Sequence, residues 1–336
     1  GICSHAETTY QRYPAATEKT QALVRSGRSR FGQVEFAEVR TVVFAAHNEG
    51  AYQRGLDAIE GCETNDEAEQ TDLAFWKMCL LSRLARLDEA CEVFARSLEL
   101  SRWWGPAMLA DPDFQNVREV PDWIRLSEES QLRARDAGQA SLPPIDLVPD
   151  TEVRATLVLL HGAGEAPRAI AERFEFAFKG GFRVVAFCGD EAYASNRWGW
   201  SLASGDLSCV RQTESLGNLV NPLLVLGFSQ GGGLAGYLGW SGSIRCDALL
   251  LFKPSFMIRG IPMPSSRLVR VPTYLHVGSE DRSLDDARQV ATNLDRGGVP
   301  VRLVESPSLG HDWPADLAQV LAEAIGWVRG KPRDAS

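Results

Sequence analysis

Residues suited to nucleophilic catalysis lie in the last third of the chain. The run Gly227-Phe-Ser-Gln-Gly231 directly follows the apolar stretch Leu223–Leu226 and precedes further glycines. A serine on a sharp strand-to-helix turn tolerates only small residues two positions to either side. Both of these positions are glycine, so we predict that Ser229 is a nucleophile presented on such a turn. An ordinary glycine-rich loop is the alternative.

A carboxylate and a histidine follow the serine in the order that this kind of turn requires. A serine hydroxyl is a weak nucleophile unless a base removes its proton and an acid orients that base. Asp281 ends the segment Gly278-Ser-Glu-Asp281, and His311 is the only histidine after it. The chain order Ser, Asp, His therefore predicts a triad of Ser229, His311 and Asp281.

Other side chains near these positions compete for the same roles. Glu280 is adjacent to Asp281 and stays open as the acid. Asp285 and Asp286 fit better as first-turn residues of the next helix, where negative charge is favoured. His276 lies inside an apolar run before the acid, so we predict that it is a packed or capping histidine.

An acyl-transfer site also needs hydrogen-bond donors for the oxyanion. One predicted donor is the backbone N–H of Gln230, the residue after the nucleophile. The other comes from the loop His161-Gly-Ala-Gly-Glu165, in which glycines allow the N–H groups to turn inward. We favour Ala163 as that donor and assign His161 a structural role in the loop.

The elements that must position these groups alternate between short apolar runs and helical periodicity. Near-continuous apolar strands between helices indicate an α/β fold with a mostly parallel sheet covered on both faces. Ligands bind such sheets at the carboxyl ends of the strands. The strands are predicted at 155–160, 183–188, 223–226, 246–252, 273–277 and 301–304, and the helices near 167–178, 230–239, 284–296 and 315–328.

On these motifs, residues 151–330 resemble an α/β-hydrolase. His161-Gly-Ala-Gly164 and Gly227-Phe-Ser-Gln-Gly-Gly232 are similar to the carboxylesterase, lysophospholipase and acyl-protein thioesterase group. The resemblance implies the triad Ser229, Asp281 and His311, with Ala163 and Gln230 as oxyanion donors. The neighbouring dienelactone hydrolases use a cysteine nucleophile, and Ser229 argues against that group.

Several loops depart from the pattern of the group. The loop after the fourth run begins Lys253-Pro-Ser-Phe256, where the group usually has Ser-Gly, and the loop at 189–205 is rewritten. Side chains in or beside the loops at the catalytic edge are candidate substrate contacts, and packing of the loops is the alternative for each aromatic one. They are Trp198, Trp200, Phe256 and Trp313, which suit an apolar or aromatic acyl group, and Arg197, which could meet an anionic group or lie on the surface.

The first part of the chain is different. We predict a polar arm at 1–32, a helical domain at 33–137 and a proline-rich linker at 138–150, followed by the catalytic domain at 151–330. Residues 50–59 align with 85–94 at an offset of 35, which resembles a degenerate tetratricopeptide helix pair. A generic helical hairpin bundle explains the same pattern.

Composition narrows the class of protein. The chain has 336 residues and a net charge of −9, which argues against a nucleic-acid binder. Residues 1–150 carry 16 basic and 25 acidic side chains, whereas 151–336 carry 19 of each. The acidic helical domain could bind a basic protein partner or simply be well solvated. No apolar run is long enough to span a bilayer, so no membrane contact is expected.

The remaining features favour a cytoplasmic enzyme without a cofactor. The seven cysteines form no C-x-x-C pair, which indicates free thiols in a reducing compartment, and no signal peptide is recognisable. No phosphate loop, dinucleotide fingerprint or metal-ligand cluster is evident. We predict a serine esterase or thioesterase acting on a small acyl ester or thioester. The alternatives are an acyltransferase, cyclase or lyase with the same triad, and a non-catalytic protein acting through its helical domain.

Overall fold

The computed structural model describes residues 35–139, 142–201, 208–217, 219–256 and 268–330. The predicted arm at 1–32 lies outside these residues. The chain divides into two compact units. Of the described residues, the first unit takes in 35–139 together with Ala192–Arg197, and the second unit takes in the others.

The first unit is helical around one apolar core, with Phe94, Trp104 and Phe114 fully buried or nearly so. Local sequence sets where its helices begin: the side chain of Asp66 accepts the backbone N–H of Glu69 at 2.9 Å, as a helix N-cap does. The helices are α1 (Phe36–Asn48), α2 (Tyr52–Glu60), α3 (Glu67–Arg83), α4 (Leu87–Glu99), α5 (Pro106–Leu109) and α6 (Pro121–Gln139), with a 3-10 turn at Pro112–Asn116.

Helices α1 with α2, and α3 with α4, form two consecutive pairs. The two segments aligned at an offset of 35 residues form the beginnings of α2 and α4. Their small residues, Gly55 and Ala90, are both buried. A Cβ added to Gly55 would lie 2.9 Å from a methyl group of Leu80, so this glycine permits close approach of α2 and α3. Kinship with tetratricopeptide repeats stays a prediction.

A short segment from later in the chain also belongs to the first unit. Residues 192–197 lie in a hairpin formed by β4 (Glu191–Ala194) and β5 (Arg197–Gly199). The N–H of Gly105 donates to the carbonyl of Tyr193 at 2.6 Å, and Ser195 donates to Trp103 at 2.9 Å. These bonds join residues about ninety positions apart, so sequence periodicity gave no sign of them and the hairpin was not predicted.

The second unit contains a seven-stranded sheet in the order β1-β3-β2-β6-β7-β8-β9. Strand β1 is antiparallel to β3, and every other pair is parallel. The strands are β1 (Ile145–Leu147), β2 (Ala155–Leu160), β3 (Phe182–Phe187), β6 (Leu223–Phe228), β7 (Ala248–Phe252), β8 (Thr273–Gly278) and β9 (Val301–Ser306). This is an α/β-hydrolase fold, as predicted. The edge strand β1 lies inside the segment expected to be a linker.

Helices cover both faces of the sheet, which is why the central strands β2, β6, β7 and β8 are buried along their whole length. One apolar cluster includes side chains of α7, α8 and α12, and the other includes side chains of α9, α10 and α11. Among the described residues, no helix is long and apolar enough to cross a membrane. The helices of the second unit are α7 (Pro167–Arg173), α8 (Glu175–Lys179), α9 (Ser208–Ser215), α10 (Ser229–Ser241), α11 (Leu284–Arg296) and α12 (Leu317–Arg329).

Candidate active site

Ser229 stands at the sharp turn between β6 and α10 and has a backbone φ of 51°. This left-handed conformation is costly for a residue with a Cβ. The flanking glycines are required by backbone contacts. A Cβ on Gly227 would collide with the carbonyl of Gly231, and a Cβ on Gly231 would collide with the carbonyls of Leu160 and His161. The strained turn therefore depends on glycine at both positions.

The structure brings three of the predicted side chains into one hydrogen-bonded chain. Nε2 of His311 lies 2.8 Å from the hydroxyl oxygen of Ser229. Nδ1 of the same ring lies 2.9 Å from a carboxylate oxygen of Asp281. His311 reaches the other two from the loop after β9, and Asp281 from the loop after β8, so all three lie at the carboxyl edge of the sheet.

The carboxylate of Asp281 is held in place by a second set of bonds. Its other oxygen accepts the N–H and the hydroxyl of Ser283, both at 2.8 Å. Burial alone would raise the pKa of Asp281, but the hydrogen bonds from His311 and Ser283 outweigh it and lower the pKa below the ordinary value. The side chain is therefore ionised and aimed at His311.

The competing acids are placed elsewhere. Glu280 is exposed, and Asp285 and Asp286 occupy the first turn of α11. Sequence reasoning missed the contribution of Ser283. Its signal was its place two residues after the acid, where an aspartate commonly accepts hydrogen bonds from the following backbone and side chain.

The two predicted oxyanion donors lie in the loop after β2 and in the first turn of α10. In the loop after β2, Gly162 donates to the carboxylate of Glu165 at 2.8 Å and Gly164 donates to the carbonyl of Trp198 at 2.8 Å. Among the described residues, the N–H of Ala163 has no acceptor. The N–H of Gln230 lies in the first turn of α10, where helices leave donors unpaired.

His161 holds this loop through both ring nitrogens. Its Nε2 accepts the N–H of Gly189 at 3.0 Å, and its Nδ1 lies 2.7 Å from the carbonyl of Gly162. Burial lowers the pKa of His161 to about 4, although the bond to Gly162 opposes this effect. The ring is therefore neutral at physiological pH, with its proton on Nδ1.

The predicted substrate contacts have packing partners in the structure. Trp200 lies 4.8 Å from the His161 ring, and its indole N–H donates to the His161 carbonyl at 2.8 Å. Trp313 stacks on Phe228 at 4.4 Å. The structure places Phe256, half-buried, 6.0 Å from Trp240, and Trp198 is buried. Their role in substrate binding stays a prediction.

The guanidinium of Arg197 already has an acidic partner. It forms an ion pair with Asp72 of the first unit, and both side chains are mostly buried. Burial raises the pKa of Asp72, although the pair with Arg197 opposes the rise. The charge that was a candidate to meet a substrate anion is thus paired within the protein.

Three buried side chains that can bind metals converge in the first unit, although the sequence predicts no metal site. The donor atoms of Cys79, Asp111 and Asp113 all lie within 4.8 Å of one another. Asp111 caps the N–H of Asp113 at 2.9 Å, and Asp113 lies 2.9 Å from Nε2 of His47. Burial raises the pKa of the Cys79 thiol well above its ordinary value. Both carboxylates thus have contacts within the protein.

The chain is similar to known proteins in its fold only. No protein-family model and no curated protein sequence matches the chain. Among solved structures, the carboxylesterase of Bacillus cereus is 15% identical over 55% of this chain and 92% of its own, with a TM-score of 0.43. Acyl-protein thioesterase 2 of Zea mays is 16% identical over 56% of this chain and 99% of its own, with a TM-score of 0.41. An uncharacterized protein from Bacillus cereus is 15% identical over 88% of this chain and its full length, with a TM-score of 0.43.

Proposed function

We propose that the second unit is a serine hydrolase that cleaves a carboxylic ester or thioester through an acyl-enzyme on Ser229. The observation that carries the proposal is the unbroken hydrogen-bonded chain from the Ser229 hydroxyl through His311 to Asp281. A serine held at a φ of 51° by flanking glycines has a strained backbone that packing alone does not require. Strain of this kind clusters at functional sites.

The geometry suits general base catalysis. Nε2 of His311 takes the hydroxyl proton as the Ser229 oxygen attacks the acyl carbonyl carbon, and Asp281 stabilises the imidazolium that forms. The N–H groups of Ala163 and Gln230 donate to the tetrahedral oxyanion. As the intermediate collapses, His311 passes the proton to the leaving alcohol or thiol. A water molecule, activated in the same way, then releases the acid and restores Ser229.

A fluorophosphonate probe tests the proposal without knowledge of the substrate, because it reacts only with an activated serine. The full-length chain should be labelled at one site, and Ser229→Ala should abolish labelling. The matched control is Ser243→Ala, which removes an exposed serine of the same unit and should be labelled like the parent. Labelling of Ser229→Ala at the parent rate, or none of the folded parent, would contradict the proposal.

A substrate panel then distinguishes esters from thioesters. The serine that reacts with the probe should also be required for hydrolysis of p-nitrophenyl esters or acyl thioesters. The acyl chain length that gives the highest kcat/KM then indicates the size of acyl group that the site accepts. Intact mass measured during turnover should show a transient acyl adduct on the parent protein and none on Ser229→Ala.

A further inference from the structure

A short segment of the second unit contacts both places that carry the predicted oxyanion donors. It consists of residues 198–200, at the end of β5, and the mechanism above uses none of them. The N–H of Ala163 lies in the loop after β2, and the N–H of Gln230 lies in the first turn of α10. Pairing of β2 with β6 ends at Leu160 and Gly227, three residues before either donor. The sheet alone therefore does not fix the distance between the two N–H groups.

The side chain of Gln230 is bonded to the backbone of Trp200. Its amide oxygen accepts the N–H of Trp200 at 3.1 Å, and its amide nitrogen donates to the carbonyl of the same residue at 3.3 Å. Because one side-chain amide pairs with both backbone groups of one residue, the two bonds fix its orientation as well as its distance. The residue whose N–H is the second predicted donor is therefore held by Trp200.

The indole of Trp200 is bonded to the loop that carries the other donor. Its N–H donates to the carbonyl of His161 at 2.8 Å, and the two rings lie 4.8 Å apart. Further along the same loop, the N–H of Gly164 donates to the carbonyl of Trp198 at 2.8 Å. Ala163 thus lies between two residues that the segment 198–200 holds in place.

The burial of Trp200 favours a supporting role over the substrate contact for which it was a candidate. The residue is 2% exposed, so it offers almost no surface to a ligand. Its indole N–H, its backbone N–H and its carbonyl all have partners within the protein. A buried aromatic residue that is bonded in this way suits the support of a site, where it locks the groups that do the chemistry.

We propose that Trp200 is a positioning residue of the oxyanion site, which sets the distance between the N–H of Ala163 and the N–H of Gln230. Such donors act when they are held where the negative charge develops, and a displacement of about 1 Å can cost roughly 100-fold in rate. Trp200 holds one donor segment with its indole and the other with its backbone. The inference rests on the proposed function, since it concerns the donors of that reaction.

The test is the kinetics of fluorophosphonate labelling in Trp200→Phe, which removes the indole N–H and keeps an aromatic ring beside His161. Labelling at several probe concentrations separates KI, which reports binding of the probe, from kinact, which reports attack by Ser229. We expect kinact to fall by about tenfold to 100-fold and KI to stay unchanged. The matched control is Trp240→Phe, which removes a buried indole N–H that donates to Thr273 at 3.0 Å in the same unit. Its kinact should equal that of the parent.

A second variant, Gln230→Met, breaks the same link from the other side. It removes the amide that binds the Trp200 backbone, while the backbone N–H of residue 230 stays as a donor. The value of kinact should again fall by about tenfold. Because both substitutions break one link, the double variant should lose less than the product of the two single losses. Losses that multiply would contradict the link.

The outcomes separate this inference from the proposed function. If the folded parent is not labelled, the proposed function fails, and the inference fails with it. If the parent is labelled and kinact of folded Trp200→Phe falls no more than that of Trp240→Phe, only the positioning role is refuted. A higher KI with an unchanged kinact would also refute it, because Trp200 would then contact the probe. If Trp200→Phe does not fold, Gln230→Met decides alone, and a parent-like kinact in that variant refutes the role.

Discussion

An alanine at position 227 tests whether the backbone around Ser229 is as tightly built as the structure shows. The three atoms nearest to the added Cβ would be the carbonyl oxygen and carbon of Gly231 and the Cα of Gly232. All are backbone atoms of α10, so no side-chain rotation can relieve the collision. The helix or the end of β6 must move instead.

The loss in the free energy of unfolding can be compared with that of the same substitution at a position where the added Cβ has space. Overpacking a well-packed site typically costs 1–3 kcal/mol, and with backbone on both sides we expect about 3 kcal/mol or more for Gly227→Ala. Gly326 in α12 is exposed, and an added Cβ there meets nothing within 4 Å. Gly326→Ala should therefore stabilise the protein by about 0.5–1 kcal/mol, the ordinary preference of a helix for alanine.

The assay is thermal unfolding of the two variants beside the parent, followed by fluorophosphonate labelling. For a unit of this size we expect the melting temperature to fall by about 6 °C or more in Gly227→Ala and to rise by about 1–4 °C in Gly326→Ala. The displaced turn should also slow labelling of Ser229 in the first variant only. A Gly227→Ala protein that melts and labels like the parent would refute the close packing of the turn.

Three further predictions concern charge. Asp281→Asn should lower the labelling rate by about 10³–10⁴-fold, since an amide does not hold the His311 tautomer or stabilise its cation; a loss below tenfold in folded protein would exclude Asp281 as the acid. Burial lowers the pKa of both His161 and His276 to about 4, below the value of about 6.5 in the unfolded chain. At His276 the positive charge of Lys253 adds to this effect. The contribution of the two histidines to stability is therefore complete above about pH 6.5 and lost as the pH falls toward 4, and urea unfolding should show a decline of about 2 kcal/mol per histidine by about pH 5. Asp72→Ala should destabilise the first unit by about 3 kcal/mol, because it strands a buried guanidinium, and leave Ser229 labelling unchanged; slower labelling would restore a substrate role for Arg197.

The parallel sheet was predictable because its signal is local. Strands buried on both faces read as continuous apolar runs, and β2 was predicted at its observed bounds, 155–160. Helix α11 was likewise predicted at 284–296. Periodicity of this kind depends only on neighbouring residues, so these elements can be predicted without knowledge of the tertiary structure.

Elements defined by distant partners were not predictable in this way. Strand β1 is three residues long and lies in a proline-rich segment, so only its pairing with β3 makes it a strand. The hairpin segment 192–197 depends on Trp103 and Gly105 of the first unit. Arg197 looked available from sequence because its partner, Asp72, is 125 residues away.

The candidate site residues were predictable for a different reason. Only glycine fits two positions before and after Ser229, which marks the serine, and only one histidine follows Asp281 in the sequence. Steric limits and chain order therefore left few candidates for the nucleophile and the base. Lys253 was visible only as a departure from the Ser-Gly pattern. Its burial and its place beside Ser229 depend on the tertiary structure. The structure sets two left-handed, non-glycine residues, Ser229 and Lys253, on adjacent strand ends. Each of these backbone conformations costs stability on its own. Because the neighbouring strands are buried and paired with one another, they can sustain this local cost beside the candidate nucleophile.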